Sequence, residues 1–335
     1  MNGFDAPKIS VIIPLYNLEK YIGATLGSIR GQTFADYEVI VVDDCSTDNG
    51  SVLVRSLTDK FDGRLKILQT KTNSGGAGAP SNMGVSAAKG KYVYIMDGDD
   101  LIADVALAEL YETAEEYAAD VVYMNCGAAF YSANDHLYPL PEEIESRNWQ
   151  QGAYEKKTVL ETSGTKGFID EFLRVGIGWP AWEKLVRRDL LIENRILFPE
   201  HIPASSDIVW TIQLLFFTER LARISTPLYF YRQHPASVCH RERSPKESLE
   251  FWSKINLESI MFLQNFLSRQ KFIEENPEYE WNLINMLHRV HLEQLRKNFP
   301  ALPKQEIYKI LSASFEKNYG EGGALLAYFF TSFMK

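Results

Sequence analysis

Two short runs of β-branched and aromatic residues each break off at a cluster of acids, and this repetition constrains the fold more than any other feature of the chain. Tyr37–Val42 (YEVIVV) is followed by Asp43-Asp44, and Tyr92–Met96 (YVYIM) by Asp97-Gly98-Asp99-Asp100. Runs of this composition read as buried strands. Carboxylates at a strand's end add nothing to burial, and in open α/β sheets the C-terminal edge is where ligands sit. Gly98 allows a turn tight enough for Asp97 and Asp99 to face one point. Such oxygen donors suit Mn²⁺ or Mg²⁺ beside a diphosphate. The competing reading is a polar turn that caps the following helix.

The residues around these runs extend the pattern. Lys8–Pro14 (KISVIIP) predicts a first strand, with Leu15-Tyr16-Asn17-Leu18 as the loop after it. Apolar residues Tyr21, Ile22, Leu26 and Ile29 recur at helical spacing over Glu19–Arg30, with Asn17 as cap and Gly31 as stop. An amphipathic stretch then ends near Lys60, Leu65–Gln69 predicts a third strand, and Thr72–Asn82 is a glycine-rich loop feeding a helix through Ala88. That loop carries neither GxGxxG nor GxxxxGK[ST], and it reads either as main chain brought close to a ligand or as a plain connection. Asp104–Tyr117 predicts a helix and Asp120–Met124 a fifth strand. Strands alternating with helices imply a mainly parallel sheet covered on both faces. The acids of the second and fourth strands then share one edge, beside the aromatic loop after the first. Such a pocket suits a base, a ribose and a metal-bound diphosphate.

Composition removes some function classes. A net charge of −9 and a pI near 5.3 argue against nucleic acid as the main partner, since phosphate-backbone binding needs a basic face. Cys45, Cys126 and Cys239 form no CxxC pair and are read as reduced thiols. The N-terminus lacks a basic region followed by an apolar core, and no run reaches the ~18 apolar residues of a membrane span, so the expected location is cytoplasmic.

Taken together, Ser10–Asn17 (SVIIPLYN), Gln32-Thr33-Phe34, Val42–Asp48 (VDDCSTD) and the Asp97–Asp100 turn resemble family 2 glycosyltransferases of the GT-A fold. The match covers about the first 125 residues, in order and at the family's spacing. The resemblance implies a Rossmann-like, mainly parallel sheet with helices on both faces, followed by a mostly helical C-terminal extension. It also implies inverting hexosyl or N-acetylhexosaminyl transfer from a UDP-sugar, with Mn²⁺ or Mg²⁺, to a glycan or lipid-linked glycan acceptor in surface-polysaccharide synthesis. By position, Pro14, Leu15, Tyr16, Asn17, Asp43, Asp44, Gly75, Asn82, Met96, Asp97 and Gly98 would contact the nucleotide sugar. Asp99 would be the principal metal ligand, with Asp97 beside it. Base stacking on Tyr16 has its own warrant, at ~1–3 kcal/mol per base, against a loop aromatic packed on the core. Cys45 stands where the family often has glycine, and Ser81 where it often has arginine.

The second half carries fewer signals. Cys126–Thr165 loosens around Pro139-Leu140-Pro141-Glu142-Glu143 and reads either as an acceptor-side insertion or as a surface excursion. Trp179 and Trp182, in the stretch before Arg187–Leu191 (RRDLL), are sugar-face candidates or core. At Ser206-Asp207 the family usually has Glu-Asp before a helix, which makes Asp207 the implied catalytic base; by spacing alone it is a helix cap. Tyr229–Ser237 resembles the family's closing motif, and Arg232 and His234 are diphosphate or metal candidates or a solvated turn. His240, Arg241 and Arg243 add a basic cluster.

Beyond Ser244, periodic apolar residues predict helices over Phe251–Phe266, Trp281–Phe299 and Ile307–Phe315, with an apolar tail at Ala324–Phe330. The extension packs on its own domain, docks on the cytoplasmic face of an inner membrane, or makes a homodimer contact. The expected division is 1–125 for the nucleotide-sugar half, 126–243 for the acceptor and base half, and 244–335 for the extension. Two rivals stay open. A sugar-phosphate nucleotidyltransferase would also place acids at this edge, although its glycine- and arginine-rich first loop is replaced by PLYNLEKY. A non-catalytic nucleotide-sugar-binding partner of another transferase is the other.

Overall fold

The computed structural model describes residues 6–124, 129–132, 158–174, 176–226, 228–234 and 242–320. Cys126, Cys239, Pro139–Glu143, Pro235–Ser237, His240, Arg241 and the Ala324–Phe330 tail lie outside these residues, as does most of the expected insertion.

The chain forms two compact units, Met1–His201 with Trp210–His234, and Ile202–Val209 with Pro235–Lys335. In the first unit the β-branched runs become the centre of an eight-stranded sheet. Its strands are β1 (Ile9–Leu15), β2 (Tyr37–Asp43), β3 (Leu65–Gln69), β4 (Tyr92–Ile95), β6 (Val121–Met124), β8 (Thr158–Glu161), β9 (Lys184–Arg187) and β10 (Leu221–Ile224), in the order β3-β2-β1-β4-β9-β6-β10-β8. A smaller sheet has the order β5-β11-β7, from Leu101–Ile102 (β5), Ala129–Ser132 (β7) and Tyr229–Gln233 (β11).

β1 pairs in parallel with both β2 and β4, and β2 pairs in parallel with β3. Leu15 is in register with Asp43, and Ile12 with Ile95. β1 and β2 therefore end together, β4 stops opposite Ile12, and Tyr16, Asp44 and Asp97 follow at one edge, as the alternation of elements predicts. β9 runs antiparallel between β4 and β6. The sheet is buried on both faces: Val39, Ile40, Val41 and Val42 are all inaccessible. Each such aliphatic side chain contributes roughly 1.5–3 kcal/mol on burial. Helices Ile22–Arg30, Gly50–Leu57, Gly78–Ala87 and Ala106–Glu116 connect the strands of this half.

One expected start is wrong. The first helix begins at Ile22, with Tyr21 rather than Asn17 before it and no side-chain cap. Asn17 instead adopts φ +54° in the preceding loop, a region its short polar side chain tolerates.

The second unit is helical, as expected of the C-terminal extension. Pro245–Leu267 opens with a reciprocal cap in which the Ser244 hydroxyl accepts from Glu247 N–H and the Glu247 carboxylate accepts from Ser244 N–H. Its core gathers Leu249, Trp252 and Ile255 of that helix, Leu295 of Glu278–Arg296, and Ile307, Ile310 and Leu311 of Lys304–Tyr319, with Ile202 and Ala204. No helix among the described residues is long and apolar enough to cross a membrane.

Candidate active site

The loops at the shared edge are built by the residues that follow each strand. Asn17 Oδ1 accepts from Thr47 N–H at 2.7 Å and from Asp48 N–H at 3.3 Å, while its own N–H donates to Ser46 Oγ at 3.1 Å. This cross-bracing fixes the loops after β1 and β2 against each other. Cys45 sits between them at φ +60°, where a Cβ is strained, so glycine is the natural residue for this turn. Cys45 is a free thiol.

The acids after β2 face inward. Asp43 and Asp44 are both 2% exposed. Asp43 accepts from Ser46 N–H at 3.0 Å and Gln69 Nε2 at 3.2 Å. Asp44 accepts from Thr70 Oγ1 at 2.8 Å, Ser74 N–H at 2.9 Å and Ser74 Oγ at 2.9 Å. Asp44 thereby clamps the glycine-rich loop onto the end of β2. Gly75 follows at φ +84° with open space around it, so the loop needs glycine for its backbone conformation and not for close approach.

Three of the expected contact residues lie in the interior. Leu15 and Met96 are inaccessible and belong to the core, because strand alternation turns them inward. Asn82 is 7% exposed; its amide donates to Phe198 C=O at 2.9 Å and its Oδ1 accepts from Phe198 N–H at 2.9 Å. Asn82 therefore joins the Gly78–Ala87 helix to the segment before the second-half helix. Ser81 is likewise buried, at 1%. Tyr16, by contrast, is 46% exposed.

The turn after β4 is organised differently. Gly98 is required by space: a Cβ there would meet Leu18 Cδ1 at 2.9 Å and Pro14 O at 3.0 Å. Its carbonyl accepts from Thr25 Oγ1 at 2.9 Å, which holds the turn against the first helix. Asp100 is inaccessible, and accepts from Tyr229 Oη at 2.6 Å and Arg232 N–H at 2.6 Å. Burial and the neighbouring Asp99 and Asp97 charges push its carboxyl well above the usual range. Asp97 and Asp99 stay partly exposed, and Asp99 Oδ2 lies 2.7 Å from His234 Nε2. The other imidazole nitrogen, Nδ1, is buried with no partner among the described residues.

The two expected partners from β11 thus arrive together. The His234 ring packs on Tyr21 at 4.3 Å between centroids, and the Arg232 guanidinium lies over the same Tyr21 ring at 4.9 Å. Asp97 and Asp99 are oxygen donors of the kind that suits Mn²⁺ or Mg²⁺, with the His234 imidazole held on Asp99. Among the described residues no three His, Cys, Asp or Glu side chains converge as a ready cage. An ion here would take further ligands from a substrate phosphate, as such sites commonly do.

Trp182 stacks on Tyr229 at 4.2 Å with 9° between planes, and so is tied to the same strand. Its segment is held by Lys184, whose buried ammonium donates to Gly178 O and Pro180 O at 2.8 Å each. Trp179 C=O accepts from Thr211 Oγ1 at 2.8 Å. Thr211 lies on the helix Ser206–Phe217. Asp207 is partly exposed in the first turn of that helix. Ser205, just before it, has φ +61°.

Sequence reasoning assigns no individual site role to Asp100, Tyr229, Tyr21 or Thr25. Tyr229 and Asp100 are 129 positions apart, and only the pairing of β11 with β5 brings them together.

Residues 10–174 match the model of the family described as Glycosyl transferase family 2. The chain belongs to glycosyltransferase family 2. Among curated relatives, EpsJ of Bacillus subtilis, named an uncharacterized glycosyltransferase, is 29% identical over 69% of this chain and 63% of its own length. TarS of Staphylococcus aureus, a poly(ribitol-phosphate) beta-N-acetylglucosaminyltransferase, is 31% identical over 67% of this chain and 35% of its own. The chain therefore spans less than two thirds of the length of these relatives. The crystal structure of S. aureus TarS 1–349 superposes with a TM-score of 0.58 at 24% identity, covering 97% of this chain and 90% of that one. The same fragment in complex with UDP-GlcNAc gives 0.56. The GT-A fold of this family 2 enzyme follows.

Proposed function

We propose that this glycosyltransferase carries out metal-dependent, inverting transfer of a hexosyl or N-acetylhexosaminyl group from a UDP-sugar to a hydroxyl of a glycan or lipid-linked oligosaccharide, in the synthesis of a surface polysaccharide. The observation that carries the reading is the pairing of Asp99 with His234, in the turn that also holds partly exposed Asp97, at the strand edge that bears exposed Tyr16. The TarS fragment's complex with UDP-GlcNAc supports the uridine donor and the wall-polymer setting.

In this reading the base stacks on Tyr16 against Pro14. Asp43 and Asp44 act by shaping the loops around it, with Asp97 toward the ribose. Asp99, with Asp97 beside it, would hold Mn²⁺ or Mg²⁺, and His234 would reach the diphosphate or the metal. When bound, the ion neutralises charge that develops on the departing diphosphate. Arg232 adds a cation on the same side. An acceptor hydroxyl is a poor nucleophile, so the Asp207 carboxylate takes its proton as the oxygen attacks the anomeric carbon opposite the diphosphate. One displacement inverts that centre. Trp179 and Trp182 border the acceptor side, with Trp182 also packing on Tyr229.

The test is Asp207→Asn. Removing a general base should lower transfer by roughly 10²–10⁴-fold, with UDP binding unchanged. Near-normal turnover would overturn the assignment of the base.

A further inference from the structure

We infer that Tyr229 and Asp100 are positioning residues that lock the acid turn and His234 in register for the cation, an inference that rests on the metal reading above. The strand that carries Arg232 and leads into His234 is attached to the acid turn by a short ladder. β11 pairs with β5 through Tyr229 opposite Ile102 and Phe230 opposite Leu101, with one further main-chain bond from Ala103 N–H to Leu228 O at 2.9 Å. A slip of one residue in so short a pairing would turn every side chain of β11 to the other face.

The lock is made by side chains. Tyr229 Oη accepts from Asp97 N–H at 3.2 Å and donates to Asp100 Oδ2 at 2.6 Å. The other oxygen of Asp100 accepts from Arg232 N–H at 2.6 Å. One carboxylate therefore grips β11 at two points three residues apart, and one hydroxyl bridges both ends of the Asp97–Asp100 turn. Two residues past Arg232 the strand delivers His234 to Asp99, the immediate neighbour of Asp100. The Tyr229 ring is itself fixed by its stack on Trp182, and both Tyr229 and Asp100 are buried. Neither residue supplies a group to the exposed side of the turn. Their work is to fix the direction of the Asp97 peptide and the axial position of His234. Tyr94, one strand position before Ile95 on β4, gives a built-in comparison: it is equally buried, but its hydroxyl meets no partner among the described residues.

The experiment is a Mn²⁺ titration of the full chain followed by the electron paramagnetic resonance signal of free Mn²⁺, with saturating UDP. UDP affinity is measured separately in chelator, and melting temperature is taken for each protein. Tyr229→Phe keeps the stacked ring and deletes two hydrogen bonds. It should weaken UDP-dependent Mn²⁺ binding roughly tenfold, with UDP affinity in chelator unchanged. Asp100→Asn, the second variant, should weaken Mn²⁺ binding in the same way, and Tyr94→Phe should leave it unaltered. Mn²⁺ binding by Tyr229→Phe equal to that of the wild type would overturn the inference while leaving the metal reading intact. Equal weakening in Tyr94→Phe would also overturn it, by assigning the effect to general loosening of the core. Absence of UDP-dependent Mn²⁺ binding in the wild type would overturn the metal reading and this inference with it.

Discussion

The acids after β2 and the acids after β4 look alike in the sequence, lie at the same sheet edge, and do different work. Asp43 and Asp44 are both 2% exposed, with their carboxylates spent on Ser46, Gln69, Thr70 and Ser74. In the second cluster the labour is divided. Asp100 is buried and holds β11, while Asp97 and Asp99 remain partly exposed and Asp99 receives His234. The lesson is that an acid at a strand's C-terminal end marks the functional edge without being a ligand itself. Whether backbone N–H groups and hydroxyls already saturate a carboxylate decides whether it builds the pocket or faces into it.

This contrast can be broken by mutation, and the largest effect on stability is expected at Asp44. Asp44→Ala leaves Ser74 N–H without its acceptor, takes the carboxylate away from Ser74 Oγ and Thr70 Oγ1, and should cost about 1–3 kcal/mol in denaturant unfolding. A loss as small as that of an exposed acid would show that Asp44 is not a structural clamp.

Glu38 sharpens the comparison as an acid of β2 away from the candidate site. Burial pushes its carboxyl upward, but Lys66, Lys89 N–H and Ser10 together outweigh that and hold it below the ordinary value. A folded-state pKa below the unfolded one contributes stability that is present above the ordinary value and lost as pH falls through the lowered one. Glu38→Gln should therefore cost about 1–2 kcal/mol near neutral pH. The difference from wild type should shrink at pH values below 4.5, the ordinary value. A difference independent of pH would contradict the charge-based account.

The smallest effect belongs to Tyr94. Its unpartnered hydroxyl gives up water for nothing, so Tyr94→Phe should be neutral or stabilise by up to ~1 kcal/mol. A clear loss of stability would mean that the hydroxyl has a role in the acid turn after all.

Much of this was legible in the chain. β2 and β4 announce themselves through uninterrupted β-branched and aromatic residues, and alternation with helices fixes their parallel order, hence the common edge. Motif position, however, says nothing about which way a side chain points. Leu15 and Met96 sit inside family motifs yet belong to the core, and Asn82 is consumed by Phe198, 116 residues away. Asn17 resembles a helix cap because caps and loop braces use the same short polar side chain; its partners, Thr47 and Asp48, lie in another loop. The role of Asp100 was hidden for the same reason, since the sequence DGDD gives three equal acids and only the distant Tyr229 separates them. β9, inserted antiparallel between β4 and β6, depends on long-range pairing that no local pattern encodes.

The most direct test of the central claim is ligand-induced thermal stabilisation of the wild type and Asp99→Ala by UDP, GDP, dTDP and CMP, each with and without Mn²⁺. A ligand at about 100 times its dissociation constant stabilises by ~2.7 kcal/mol, a shift of a few degrees. The account predicts that UDP with Mn²⁺ shifts the wild type most, and that Asp99→Ala loses the Mn²⁺-dependent part while keeping its own folding transition. An undiminished Mn²⁺-dependent shift in Asp99→Ala would contradict it.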